Sequence, residues 1–305
     1  MELGAPLVSV IIATYNRSES LFYAISSVLH SAFTNWELLV VGDACTDDTE
    51  AVVRSFEDPR IRFFNLKKNF GDQGGPNNEG FRLARGRYIA YLSHDDLWMP
   101  NHLETALNSI EVEKADFITT LGISVKKNGQ NDIFGTLANG RFVLDIWIPA
   151  SLWVLKREVL EEIGPWKHPR ECFVAPSQDV LLRAWKAGKR ICTIPKVSVI
   201  AFHASFRPGI YKTRESDEIK LYFERMQHEP DFLEKELLKV VCHQTLKDSE
   251  LEIWVHLRRT IFNIMKRSAI KIGITPMELA YFLHYRKKGK FINRWRKKAG
   301  LPELK

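Results

Sequence analysis

Residues 86–100 read GRYIAYLSHDDLWMP, and the reading of this stretch decides the fold. The run Tyr88-Ile89-Ala90-Tyr91-Leu92 is apolar without alternation, as in a strand buried on both faces. His94, Asp95 and Asp96 follow directly. Unpaired carboxylates are costly to bury, so an acidic pair after an inner strand belongs at a sheet edge, where a cation, a donor or water can meet it.

Outward from this stretch, strand-like and helix-like segments alternate, which predicts an α/β fold. LVSVIIATYN (residues 7–16) reads as a first strand, and SESLFYAISSVLHSAF as a helix opened by Ser18, with Leu21, Ala24, Ile25, Val28 and Leu29 on one face. WELLVVGD is a second inner strand ending at Asp43. In TDDTEAVVRSF, Thr46 and Asp47 suit a helix start, where side-chain oxygens accept from free N–H groups. RIRFFNL reads as a third strand. The loop NFGDQGGPNNEG, with Gly71, Gly74 and Gly75, matches neither nucleotide-binding glycine pattern and reads as flexible, with a helix expected near 79–85. Downstream, DFITTLGISV is a strand, PASLWVLKREVL a strand-to-helix unit, QDVLLRAWKAGKR a helix, and ICTIPKVSVIAFH a strand delivering His203. From about Glu215 the pattern is helical, and Thr275-Pro276-Met277-Glu278 resembles a capping box.

At 305 residues the chain suits one large α/β domain with an appendage, or two domains. No run of 18 apolar residues occurs, so no membrane span is expected. The first residues have no basic leader before the strand, so no signal peptide is expected. Cys45, Cys172, Cys192 and Cys242 are dispersed, which suits a reducing compartment and argues against disulfides or a cysteine-rich zinc site. The net charge of +7 is uneven: Asp231–Lys305 holds 17 Lys and Arg against 8 Asp and Glu, and the rest of the chain is slightly acidic.

Three expected strands end in polar groups: Thr14-Tyr15-Asn16, Asp43, and His94-Asp95-Asp96. If they run parallel, these ends share the edge at which open α/β sheets bind ligands. An aromatic ring, an acid and an acidic pair there suit a nucleotide: ring against base, Asp43 accepting from base or ribose, and the pair holding a divalent cation against phosphates.

Together, VSVIIATYN, WELLVVGDACTDDT, RGRYIAYLSHDDLWMP and SQDVLLRAWKAG resemble glycosyltransferase family 2, in order and spacing, across about residues 6–205. The resemblance implies the GT-A fold, a mixed sheet flanked by helices. A GT-A domain is expected over 1–214, with a donor half to about 100 and an acceptor half beyond, followed by a basic helical extension over 215–305. It implies an inverting, non-processive transfer of sugar from a nucleotide-diphosphate donor, UDP favoured, to a sugar or lipid-linked saccharide, in surface polysaccharide or glycolipid synthesis. The place implied is the cytoplasm or the inner face of the plasma membrane. By the same resemblance Asp179 is the catalytic base, and Ala13, Tyr15, Asp43, Asn78 and Asp95 bind the donor nucleotide. Asp95, Asp96 and His203 hold Mn²⁺ or Mg²⁺, and Trp147 and Trp153 line the acceptor site. Two departures stand out. Ser93 occupies the first position of the family's D-x-D motif, and Asn77 replaces a customary arginine. The missing phosphate-pairing charge falls to Arg82, Arg207 or Lys212.

The basic tail, with Tyr281, Phe282, Phe291, Ile292 and Trp295, reads either as a peripheral contact with an anionic membrane or as a solvated charge run. Asn293-Arg294-Trp295 matches part of the Q-x-x-R-W motif of processive synthases, but without the Gln and too far from Asp179. Two rival functions remain: a catalytically degenerate sugar-nucleotide-binding module, and a nucleic-acid-binding protein acting through the tail. The acidic main body and the lack of a nucleic-acid module disfavour the second.

Overall fold

The computed structural model describes residues 5–135, 147–248 and 276–304. Its first half is built from β1 (Val8–Thr14), α1 (Ser18–Leu29), β2 (Trp36–Gly42), α2 (Thr49–Arg54), β3 (Ile61–Asn65), α3 (Gly74–Leu83), β4 (Tyr88–Tyr91), β5 (Asp96–Trp98) and α4 (His102–Glu113). The second half adds β6 (Phe117–Ser124), β7 (Asp132–Phe134), β8 (Trp153–Lys156), α5 (Arg157–Ile163), α6 (Pro176–Lys186) and β9 (Ile191–Ala201). Helices follow: α7 (Ile210–Thr213), α8 (Asp217–His228), α9 (Phe232–Asp248), α10 (Pro276–Tyr285) and α11 (Lys290–Ala299). Thr275, the expected cap of α10, lies outside the described residues.

The strands form one mixed sheet in the order β3-β2-β1-β4-β8-β6-β9-β5, with β7 beside β6. β3, β2, β1 and β4 are parallel, whereas β8 is antiparallel to both β4 and β6. Thr14 stands opposite Gly42 and Ile11 opposite Tyr91, so the polar ends of β1, β2 and β4 do share one edge. β2 and β4 are buried along their whole length, as their unbroken apolar runs require of strands covered on both faces. Leu21, Ala24, Ile25 and Val28 of α1 are buried, the stripe expected from their spacing.

Two local readings are corrected. The third helix-like segment begins at Gly74, inside the glycine-rich stretch, rather than near 79. The loop before it is fixed, because both Asp43 carboxylate oxygens accept from its backbone (Phe70 N at 2.6 Å, Gly71 N at 2.8 Å). Farther along, α3 lies so close to β1 that a Cβ on Gly80 would stand 2.5 Å from Ile11 Cγ2.

Of the helices beyond residue 215, α8 and α9 are packed on the sheet. Ile219 of α8 with Phe232 and Val240 of α9 share one apolar cluster with Leu97, Ile123 and Ile200 of β5, β6 and β9. No helix among the described residues is long and apolar enough to cross a membrane.

Candidate active site

A pocket of about 250 Å³ opens at the carboxyl edge of β1, β2 and β4. Ala13 and Tyr15 leave β1 to form one wall, and Asp43 follows β2. Residues 93–96 descend from β4, and Ser177 approaches from the start of α6. Short linkages hold these ends together: Asp43 N donates to Thr14 O, and Asn16 and Thr46 are joined by two hydrogen bonds. Asp47 accepts from the backbone and hydroxyl of Thr49, so it serves the start of α2, as its position implied.

Asp43 is buried, and burial raises its pKa despite the two backbone donors and the nearby Arg296. Asp95 accepts from the Ser93 hydroxyl at 2.6 Å. Burial acts to raise Asp95, but His94, Arg17 and that hydroxyl outweigh it, leaving the group below the ordinary carboxylate value. Arg17 is buried, donating to Ser20 and the Glu215 carbonyl, with two guanidinium nitrogens unpartnered. Ser93, the departure from the family's acidic motif, therefore still acts on Asp95 through a hydrogen bond.

Asp96 has a different role. One oxygen accepts from the Ser151 hydroxyl at 2.5 Å and the other from Phe202 N at 3.1 Å. Burial, reinforced by Asp95, pushes its pKa up to about 8. With both oxygens engaged, Asp96 braces β5 against its neighbours while it also lines the pocket.

The two imidazoles are poor bases. Burial lowers the His94 pKa and takes that of His203 down to about 4. His94 Nδ1 faces the Ala13 carbonyl at 3.2 Å, an oxygen that only accepts, so Nδ1 carries the proton. Nε2 is then a bare lone pair, buried and without a partner among the described residues. Among the described residues, no three His, Cys, Asp or Glu side chains converge to hold a metal ion by themselves.

Asp179 sits in the first turn of α6; Ala175, Pro176 and Ser177 before it line the pocket, and Asp179 itself does not. Its carboxylate is ion-paired with Arg183 at 2.6 Å and Lys167 at 3.6 Å. Asn78 does not line the pocket: its amide clamps the Trp166 backbone, accepting from Trp166 N and donating to Trp166 O. That removes Asn78 from direct ligand contact, while Asn77 beside it does line the pocket. The tryptophans also separate. Trp147 is 40% exposed at the pocket wall, whereas Trp153 is fully buried with its indole N–H on the Ile148 carbonyl. Trp153 is core and does not face an acceptor.

Other wall residues escaped the sequence reading. Asp72 contributes an acid whose pKa burial raises to about 6, and Tyr211 closes the side nearest His94. Phe291, Trp295 and Arg296 arrive from α11. A basic run lacks the local signal that would have assigned it to this wall. Arg82 pairs with Glu79 on an exposed helix face, Arg207 pairs with Glu218, and Lys212 is exposed. None of the three expected phosphate partners lines the pocket.

The sequence model described as Glycosyl transferase family 2 matches residues 9–163, just over half of the chain. Over 112 residues the chain is 37% identical to an Escherichia coli protein named UDP-Glc:alpha-D-GlcNAc-diphosphoundecaprenol beta-1,3-glucosyltransferase WfgD, covering 37% of this chain and 44% of that protein. The chain thus spans less than half the length of this curated relative. Among solved structures, S. aureus TarS 1-349 in complex with UDP-GlcNAc superimposes with a TM-score of 0.55 at 18% identity, over 76% of this chain and 72% of that one. A mannosyltransferase from Pyrobaculum calidifontis, PcManGT, in complex with GDP-Man and Mn²⁺, does so with a TM-score of 0.53 at 17% identity, over 96% and 87%. The likeness to these two structures establishes the fold.

Proposed function

The chain belongs to glycosyltransferase family 2, and on that premise we propose that it transfers a sugar from a UDP-sugar to a hydroxyl group of a lipid-linked saccharide. The transfer is non-processive and inverts the anomeric centre, and it serves surface polysaccharide or glycolipid synthesis at the inner face of the plasma membrane. The observation that carries this reading is the shared edge of β1, β2 and β4, where Tyr15, Asp43 and Asp95 line one pocket. The comparisons point the same way: WfgD is named for a UDP-linked donor and a diphosphoundecaprenol acceptor, and TarS holds UDP-GlcNAc.

Tyr15 and Asp43 take the nucleoside, with Ala13 giving the ring room. Asp95, with the neutral His94 imidazole next to it in the chain, would hold Mn²⁺ or Mg²⁺, the remaining ligands being oxygens of the donor diphosphate and water. The bare His94 Nε2 is the observation that favours this fit. The chemistry a cation held there would supply is Lewis-acid stabilisation of the negative charge on the leaving diphosphate. Asp179 takes the proton from the acceptor hydroxyl as it attacks the face of the sugar opposite the leaving group. Trp147 offers the acceptor an aromatic surface. In this reading residues 1–214 form the transferase body and the later helices extend it.

The test is incubation of the full chain with UDP-, GDP- and dTDP-sugars and a polyprenyl-diphosphate saccharide, with and without Mn²⁺. Nucleotide release is followed, and NMR gives the product's anomeric configuration. Metal-dependent release with one donor and an inverted product is the expected result. Nucleotide binding without any product would favour the non-catalytic binding module.

A further inference from the structure

We propose that Arg296, carried by the basic C-terminal segment, is the residue that binds the donor diphosphate, so that this segment is a wall of the active site. The inference rests on the donor-site reading above and assigns the charge that reading lacks. Among the described residues, Arg296 is the only Lys or Arg that lines the pocket, against the acidic side chains of Asp43, Asp72 and Asp95. A diphosphate entering so acidic a pocket needs fixed positive charge close to it, and a guanidinium meets phosphate oxygens with two parallel donors.

Arg296 is only 6% exposed, yet no carboxylate among the described residues lies within ion-pair distance of it. Its Nε donates to Pro302 O at 2.8 Å and its Nη1 to Gly71 O, both neutral acceptors. Its charge is balanced by Asp72 and Asp43 only beyond ion-pair distance, so an anion in the pocket would give the buried guanidinium a direct partner.

The placement is built by the fold. Gly289 N donates to Cys172 O, and Gly209 N donates to Lys298 O at the other end of α11. Beyond the helix the chain folds back, with the Asn293 amide pairing to both N and O of Leu304. Leu304 packs against Gly71, whose φ of +83° and lack of a Cβ permit the contact. Gly71 N in turn donates to Asp43, so the nucleoside acid and Arg296 meet through one residue. Arg294, the residue that matches the partial synthase motif, is exposed and does not line the pocket.

The test compares wild type with Arg296→Gln, Arg296→Lys and the surface control Arg294→Gln in the full chain. Calorimetry measures affinity for UDP, GDP and dTDP and for the matching nucleosides, in Mn²⁺ and in EDTA, alongside thermal unfolding. Arg296→Gln is expected to weaken the preferred nucleoside diphosphate by about tenfold or more, as loss of a charge-assisted bidentate contact should. Its nucleoside affinity should stay within about twofold of wild type. Arg296→Lys should recover part of the loss, and Arg294→Gln should match wild type. Unchanged diphosphate affinity in Arg296→Gln would overturn the assignment alone. So would an equal loss for diphosphate and nucleoside, or a lowered unfolding midpoint that Lys does not restore, since each marks a packing role. A wild-type chain that binds no nucleoside diphosphate would overturn the donor-site reading itself.

Discussion

Asp43, Asp95, Asp96 and Asp179 are four carboxylates of one type in four situations. Asp43 accepts from two loop amides, Asp95 sits among cationic and imidazole groups, Asp96 braces two strands, and Asp179 is doubly ion-paired. Sequence placed Asp43, Asp95 and Asp96 at one edge, because each follows a strand that can be read locally, whereas Asp179 entered through the resemblance of SQDVLLRAWKAG. It did not tell a ligand from a brace, since that depends on which backbone amides arrive from elsewhere. Asp95→Ala is expected to abolish the Mn²⁺-dependent part of UDP-sugar binding, with metal-independent binding retained. Titrating donor with and without Mn²⁺ checks this, and an unchanged metal response would remove Asp95 from the cation site. For Asp179→Asn the expectation is a loss of turnover of about 10²–10⁴-fold with donor affinity kept, as for removal of a general base. A wild-type rate would transfer that role to another group.

At the scale of elements, the contact between α3 and β1 is a steric commitment. Gly80 has no room for a methyl group against Ile11, so Gly80→Ala should destabilise the chain by about 1–3 kcal/mol. Urea unfolding at constant m-value reads it, and an unshifted midpoint would mean that α3 relaxes freely from the sheet. The segment from Trp147 to Lys156 gives a paired prediction from two tryptophans only six positions apart. Trp153→Ala should cost about 3–5 kcal/mol, because a fully buried ring is removed from the core. Trp147→Ala should leave the unfolding midpoint in place and raise the acceptor KM. The opposite pattern in either variant would reverse their assignment. The amphipathic reading of α11 is similarly resolved: Phe291, Ile292 and Trp295 face the pocket, and its exposed positions include Arg294, Lys297 and Lys298.

For the whole molecule, acid sensitivity follows from a histidine that the chemistry does not use. His102 is 1% exposed, stacked on Trp98 with ring centroids 4.2 Å apart, and hydrogen-bonded through Nδ1 to the Ser198 hydroxyl. Burial lowers its pKa to about 3, against an ordinary value of about 6.5 in the unfolded chain. Below that ordinary value the unfolded chain takes up a proton that the folded one refuses. The stability His102 leaves intact near neutrality is therefore lost as pH falls from about 6.5 toward 3. Unfolding free energies measured across that range should decline less steeply in His102→Gln than in wild type, and parallel curves would show that other groups set the acid limb.

The inner strands, the amphipathic α1 and the carboxyl-edge placement of Tyr15, Asp43 and Asp95 were determined by the sequence itself. Periodicity of two or 3.6 residues and the order of short motifs are local properties, and parallel pairing then brings those strand ends to one edge. The tertiary structure alone decided which acids brace the fold, which tryptophan is core, and where the basic end of the chain goes. The contact that matters there joins Arg296 to Gly71 across 225 positions. Nothing in the spacing of Lys and Arg along α11 specifies it, because it exists only once the loop after β3 and the C-terminal segment have packed against the same pocket.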